Sequence, residues 1–150
     1  MPPEVMLELA RHPLLCAFKE ACADLAHAMR LYELVGDGIA IYCGNDDQAF
    51  PHMALGARGV ISVASNVVPA QMHALARGYL RGNTEASRAL QFSLLPLMRA
   101  LFSEVSPIPV KAALEMMGRA ENTLRLPLTP LEDGKAKILR GELKRLRLLV

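Results

Sequence analysis

The eight residues Leu14-Leu15-Cys16-Ala17-Phe18-Lys19-Glu20-Ala21 decide the fold class that the sequence predicts. They follow Pro13, and only Lys19 and Glu20 interrupt their apolar character. Strands of a parallel sheet are covered on both faces, so they read as short, continuous apolar runs. Two further apolar runs follow at 39–43 and 60–63. The sequence therefore predicts three parallel strands.

Helical patterns separate these predicted strands. Asp24 is placed to cap a helix over 25–35, and Gly36 is placed to end it. A shorter helix is predicted over 49–55, and the polar residues 45–47 before it are interpreted as its caps. The order strand, helix, strand, helix, strand indicates right-handed βαβ crossovers in an α/β fold.

The later part of the chain has helical patterns only. Pro69 starts one predicted helix, a second covers 85–102 with a kink expected at Pro96, and Pro109 starts a third. A capping box at 129–132 is expected to open the last helix.

The composition excludes several classes of protein. The 150 residues suffice for one domain with a buried core, and 52% hydrophobic residues exclude a disordered chain. A net charge of +2 argues against nucleic acid or a membrane surface as the partner of the whole molecule. No apolar run is long enough to span a membrane, and the N-terminus lacks the pattern of a signal peptide. We therefore expect a cytoplasmic protein.

The spacing of cysteines and histidines predicts no metal site. The three cysteines match neither a zinc knuckle nor a C-x-x-C motif, so reduced thiols are expected. The four histidines are scattered, without an H-x-x-x-H pair. Nucleotide-binding glycine motifs are also absent, so no cofactor is expected. These cysteines and histidines are Cys16, Cys22, Cys43, His12, His27, His52 and His73.

Lys19 is the residue of greatest chemical interest. A lysine within an apolar strand loses hydration of its ammonium group, which favours the neutral, nucleophilic amine. At the carboxyl end of a barrel strand, such an amine suits attack on a ketone to form a Schiff base. Alternatively, the side chain extends from the strand end into solvent and has no chemical role.

Five strings of residues occur in a distinctive order and spacing: AFKEACAD at 17–24, CGND at 43–46, LGARGVISV at 55–63, PIPVK at 107–111 and LRLPL at 124–128. Together they resemble the dihydrodipicolinate synthase and N-acetylneuraminate lyase superfamily, most closely the dihydrodipicolinate synthases. The resemblance covers nearly the whole chain. It implies a (β/α)8 TIM barrel followed by a C-terminal helical domain, with this chain starting at the fifth barrel helix. Residues 1–66 would then form the last three strands with their helices, and residues 67–150 the helical region.

The same resemblance implies a set of site residues. Lys19 matches the family's Schiff-base lysine, and Gly44 and Ile61 match positions that line the pyruvate site. The chain departs from the family at Cys43 and Asn45, where the family usually has Ser and Asp. It also has Cys-Ala at 22–23 where the family usually has Thr or Ser followed by Gly. These differences concern the substrate detail rather than the chemistry of the lysine.

The reaction implied by the resemblance condenses pyruvate, held as an enamine on the lysine, with aspartate semialdehyde on the route to lysine and diaminopimelate. The family's proton-relay threonines and tyrosine, and the arginine that holds the second substrate, match no residue of this chain. One hypothesis is therefore a class I lyase chain that needs a missing N-terminal half in trans, or a homo-oligomer. The alternatives are a non-catalytic remnant or interaction protein, and another pyruvate-dependent aldolase or lyase of the superfamily.

Overall fold

The computed structural model describes residues 1–149. Two strands and seven α-helices alternate at first, and the second half of the chain is helical. The elements are α1 Pro3–Leu9, β1 Ala17–Glu20, α2 Leu25–Val35, β2 Ala40–Cys43, α3 Ala49–Ala54, α4 Pro69–Leu80, α5 Thr84–Leu101, α6 Ile108–Met116 and α7 Asp133–Arg145. Short 3₁₀ turns cover Gly36–Gly38, Asp46–Gln48 and Ala64–Asn66.

The two strands form a parallel pair in which Lys19 lies opposite Tyr42. The backbone N–H of Gly44 extends the pairing by donating to the carbonyl of Glu20 at 2.6 Å. Helix α2 connects the strands, so the first predicted βαβ unit is confirmed. β1 is shorter than predicted, because residues 14–16 lie outside it.

The third predicted strand, at 60–63, is wrong as a strand. Only an isolated bridge joins Cys43 to Val60, supported by a hydrogen bond from the amide of Ile61 to the carbonyl of Cys43 at 2.8 Å. The next amides are used differently, since Val63 N–H and Ala64 N–H both donate to the carboxylate of Asp46. That carboxylate turns the chain into the 3₁₀ segment instead of extending the sheet.

The ends of α2 are as predicted. The carboxylate of Asp24 accepts hydrogen bonds from the amides of Ala26, at 2.9 Å, and His27, at 3.4 Å. Gly36 follows the helix with φ +52°, a left-handed conformation that glycine adopts without steric cost.

Two other predicted caps are wrong. Residues 45–47 provide no side-chain cap, because Asp46 turns towards the following loop. The capping box at 129–132 does not form either, since Glu132 makes no side-chain cap at the start of α7. The amide of Glu132 donates to Glu104 instead, and Lys135 pairs with the same carboxylate at 3.2 Å. A tertiary contact thus replaces the local motif.

The apolar core has three parts, of which the largest lies among α5, α6 and α7 and includes Leu97, Leu139 and Leu143. A second part joins α1 and α2 to β2 through Leu31 and Ile41, and a third lies between α3 and α4. Among the described residues, no helix combines the length and apolar character needed to cross a membrane.

Candidate functional site

Lys19 and Gly44 lie against each other at the carboxyl end of the parallel strands. Lys19 is the third residue of β1, and Gly44 comes directly after β2. A Cβ atom built on Gly44 would lie 2.7 Å from the Cε atom of Lys19 and 2.7 Å from the Cβ atom of Ala21. Real Cβ atoms do not approach that closely, so only glycine leaves room for the Lys19 side chain here.

Ile61 is held beside the same strand end through its backbone. Its amide donates to the carbonyl of Cys43, the residue that precedes Gly44. The side chain is 48% exposed. The three residues predicted from the sequence therefore lie together at the carboxyl end of the parallel strands. They come from β1, from the residue after β2 and from the segment bridged to β2.

The expectation that Lys19 loses its hydration is wrong for this chain, because the side chain is exposed. The apolar residues that precede it do not cover it. Leu14 is 87% exposed, and Cys16 is also exposed outside the strand. The described residues alone thus leave the ammonium group in water.

The loop that carries Gly44 is fixed by buried polar contacts that the sequence did not reveal. The carboxylate of Asp46 is fully buried, and it accepts from the amides of Val63 and Ala64 at 3.0 and 2.8 Å. From α5, the amide nitrogen of Gln91 donates to the carbonyls of Asp46 and Asp47. Burial raises the pKa of Asp46, although the hydrogen bonds from Ser62 and the two amides oppose this.

A second polar contact joins α2 to α3. The hydroxyl of Tyr32 and Nδ1 of His52 are 3.2 Å apart, and both rings meet edge to face. Burial raises the pKa of Tyr32 and lowers the pKa of His52. Burial also raises the pKa of the Cys43 thiol to about 11. All three groups are therefore neutral near pH 7, which suits a structural layer rather than proton transfer.

One group of side chains has the composition of a metal site. A carboxylate oxygen of Glu20, the sulfur of Cys22 and a ring nitrogen of His27 lie within 4.8 Å of one another. The spacings among the cysteines and among the histidines did not indicate this mixed group. A mixed Glu-x-Cys-x4-His spacing was the available signal.

Comparisons with known proteins identify the family of this chain. The model of the Dihydrodipicolinate synthetase family matches residues 1–146. A 4-hydroxy-tetrahydrodipicolinate synthase of an Exiguobacterium species is 46% identical over 140 residues, which cover 93% of this chain and 48% of that protein. The chain spans about half the length of the curated relatives it matches.

Solved structures give the same result. The crystal structure of dihydrodipicolinate synthase from Thermotoga maritima superposes with a TM-score of 0.95 at 43% identity, covering 99% of this chain and 52% of that one. The enzyme from Acinetobacter baumannii, solved in complex with pyruvate, has a TM-score of 0.93 at 33% identity, covering 98% and 50% of the two chains. The resemblance found in the sequence is thereby confirmed, and the chain belongs to the dihydrodipicolinate synthetase family.

Proposed function

We propose that this chain carries the Schiff-base lysine of a class I lyase that condenses pyruvate with aspartate semialdehyde to form 4-hydroxy-tetrahydrodipicolinate. The amine of Lys19 attacks the ketone carbon of pyruvate, and loss of water gives an imine. Loss of a proton from the methyl carbon gives the enamine, whose carbon then attacks the aldehyde. The amino group of the semialdehyde then displaces the Lys19 nitrogen from the imine carbon, which closes the ring and frees the lysine. Gly44 and Ile61 line the pyruvate site.

The close approach of Gly44 to Lys19 carries this proposal. The glycine leaves space around the Cε atom of Lys19. The Schiff base would form at Nζ, the next atom of the same side chain. Placement at the carboxyl end of parallel strands agrees with the general location of active sites in (β/α)8 barrels. The names of the relatives, and the pyruvate complex of the Acinetobacter baumannii enzyme, support the same chemistry.

We also propose that turnover needs groups from outside this chain. Residues 1–66 would form the end of a (β/α)8 barrel and residues 67–150 its C-terminal helical region. A matching N-terminal half in trans, or a homo-oligomer, would complete the site in the cytoplasm. Such a partner would also cover the exposed side chain of Lys19.

Trapping with pyruvate and borohydride tests the proposal. Reduction of the imine leaves a stable adduct, and mass spectrometry of a digest should place it on Lys19. Lys19→Arg should abolish the adduct, because a guanidinium group stays protonated. Lys137→Arg, on the exposed face of α7, is the matched control and should leave the adduct unchanged.

Two results would contradict the proposal. An adduct spread over several surface lysines would show that Lys19 is not special. No adduct on Lys19, with or without a matching N-terminal half, would favour a non-catalytic member of the family. A coupled assay measures whether the chain alone has every group needed for turnover. We expect it to convert little pyruvate and aspartate semialdehyde. The proton-relay groups it lacks contribute about 100-fold to 10,000-fold each in rate.

A further inference from the structure

Three side chains between β1 and α2 converge on one cavity. Glu20 is the last residue of β1, Cys22 lies in the loop that follows, and His27 lies in the first turn of α2. One oxygen, one sulfur and one nitrogen from these residues lie within 4.8 Å of one another. All three residues line a cavity of about 440 Å³, which Lys19 also lines.

The carboxylate of Glu20 is buried and forms no ion pair with a described residue. Glu20 is only 5% exposed, and it accepts one hydrogen bond from the amide of Cys22. The ion pairs found among residues 1–149 do not include it. A buried carboxylate is costly unless a cation or a metal ion balances its charge. A cation in the adjoining cavity would supply that balance.

We propose that Glu20, Cys22 and His27 bind a zinc ion. Thiolate, imidazole and carboxylate are the usual zinc ligands, at about 2.0 to 2.3 Å from the metal. In a tetrahedral site such ligand atoms lie about 3.3 to 3.8 Å apart, so the three side chains need to move by only about 1 Å. With three ligands from this chain, a tetrahedral zinc ion would have a fourth position for water or a small anion.

The donor set distinguishes zinc from the harder cations. Mg²⁺ and Ca²⁺ take mainly oxygen ligands, whereas a thiolate and an imidazole select zinc and similar transition metals. Existing hydrogen bonds hold two of the ligands in place. The amide of Cys22 fixes the Glu20 carboxylate, and Asp24 fixes the backbone of His27. Such supporting contacts orient the ligands of a metal site.

Titration of the full chain with Zn²⁺ and with Co²⁺ tests the site independently of any reaction at Lys19. We expect one metal ion per chain, and a near-ultraviolet charge-transfer band from thiolate to Co²⁺. Cys22→Ser should remove this band. His27→Gln should weaken binding by at least about 100-fold, since loss of a supporting contact alone costs about 10 to 100-fold.

Cys16→Ser provides the matched control, because Cys16 is an exposed thiol outside the cluster and its loss should leave the band unchanged. Circular dichroism establishes that each variant is folded. The proposal is overturned by a folded chain that binds no stoichiometric metal, by a band that survives Cys22→Ser, or by full affinity in His27→Gln. Loss of the band in Cys16→Ser would overturn it too, since the metal would then be at another thiol.

Discussion

Gly44 determines whether the side chain of Lys19 has room to react. An added Cβ atom would lie 2.7 Å from both the Cε atom of Lys19 and the Cβ atom of Ala21, and 3.1 Å from the carbonyl oxygen of Glu20. The lysine could move its flexible end, but Ala21 and the backbone could not yield so easily. The role of Gly44 is therefore to leave room for the lysine side chain, and it provides no reactive group.

Gly44→Ala should reduce the amount of pyruvate adduct trapped on Lys19 by at least about tenfold, the change that a loss of about 1.4 kcal/mol produces. The physical reason is the clash that displaces either the lysine or the end of β2. Quantitative mass spectrometry of the borohydride-reduced digest measures the change. Gly38→Ala is the control, because a Cβ atom there meets nothing within 4 Å. Equal adduct yields in the two variants would contradict this account of Gly44.

His52 should make the stability of the chain depend on pH. It is fully buried, and burial lowers its pKa below the ordinary value of 6.5, although Glu20 opposes the shift. The unfolded chain therefore binds more protons than the folded chain just below pH 6.5. The free energy of unfolding should accordingly fall as the pH is lowered from 6.5 towards the depressed pKa.

Urea unfolding at a series of pH values measures this effect. His52→Gln should flatten the dependence in that window, whereas His73→Gln, at an exposed position of α4, should retain it. If the free energy of unfolding of the wild-type chain increased as the pH was lowered from 6.5 to 5, the expected direction would be contradicted.

Among the helices and strands, the sequence correctly predicted the features that neighbouring residues determine. The helix α2 has its predicted ends because Asp24 and Gly36 act on adjacent backbone. The third strand and the capping box at 129–132 failed because distant residues compete for the same groups. The carboxylate of Asp46 accepts a hydrogen bond from the amide of Val63 in the predicted strand, and Glu104 accepts one from the amide of Glu132 before α7. No spacing rule within one segment contains these partners.

Asp46→Ala should lower the free energy of unfolding by about 1 to 3 kcal/mol for each buried amide left without an acceptor. Two amides, those of Val63 and Ala64, lose their partner. Chemical denaturation measures the loss. Asp47→Ala is the matched control, because the side chain of Asp47 is exposed and its change should alter stability by less than about 0.5 kcal/mol. Equal effects of the two substitutions would show that the Asp46 bridge does not stabilise the loop.

For the candidate site, the sequence supplied residue identities but not surroundings. Resemblance indicated Lys19, Gly44 and Ile61, and the structure brings them to one end of the sheet. The sequence did not predict that Lys19 is exposed, because apolar residues adjacent in the chain do not necessarily pack over its side chain. Leu14 illustrates this, since it begins the apolar run and is 87% exposed.

At the scale of the whole molecule, the sheet has an open edge. Within residues 1–149, β1 pairs only with β2, so one side of β1 presents unpaired backbone groups. Such an edge favours pairing with another chain. Large apolar side chains are uncovered as well, including Leu14, which precedes β1, and Ile61, which lies beside the end of β2. Burying each of them would contribute about 1.5 to 3 kcal/mol.

We therefore expect the isolated chain to self-associate, with an average mass from light scattering that rises with protein concentration. Leu14→Glu should weaken this association, because it places a charge on the apolar surface beside β1. Phe92→Glu is the control, since Phe92 is 64% exposed on α5, away from the sheet edge, and its change should have little effect. A chain that stays monomeric at every concentration, with one sharp unfolding transition, would show that the edge of β1 is stable without a partner.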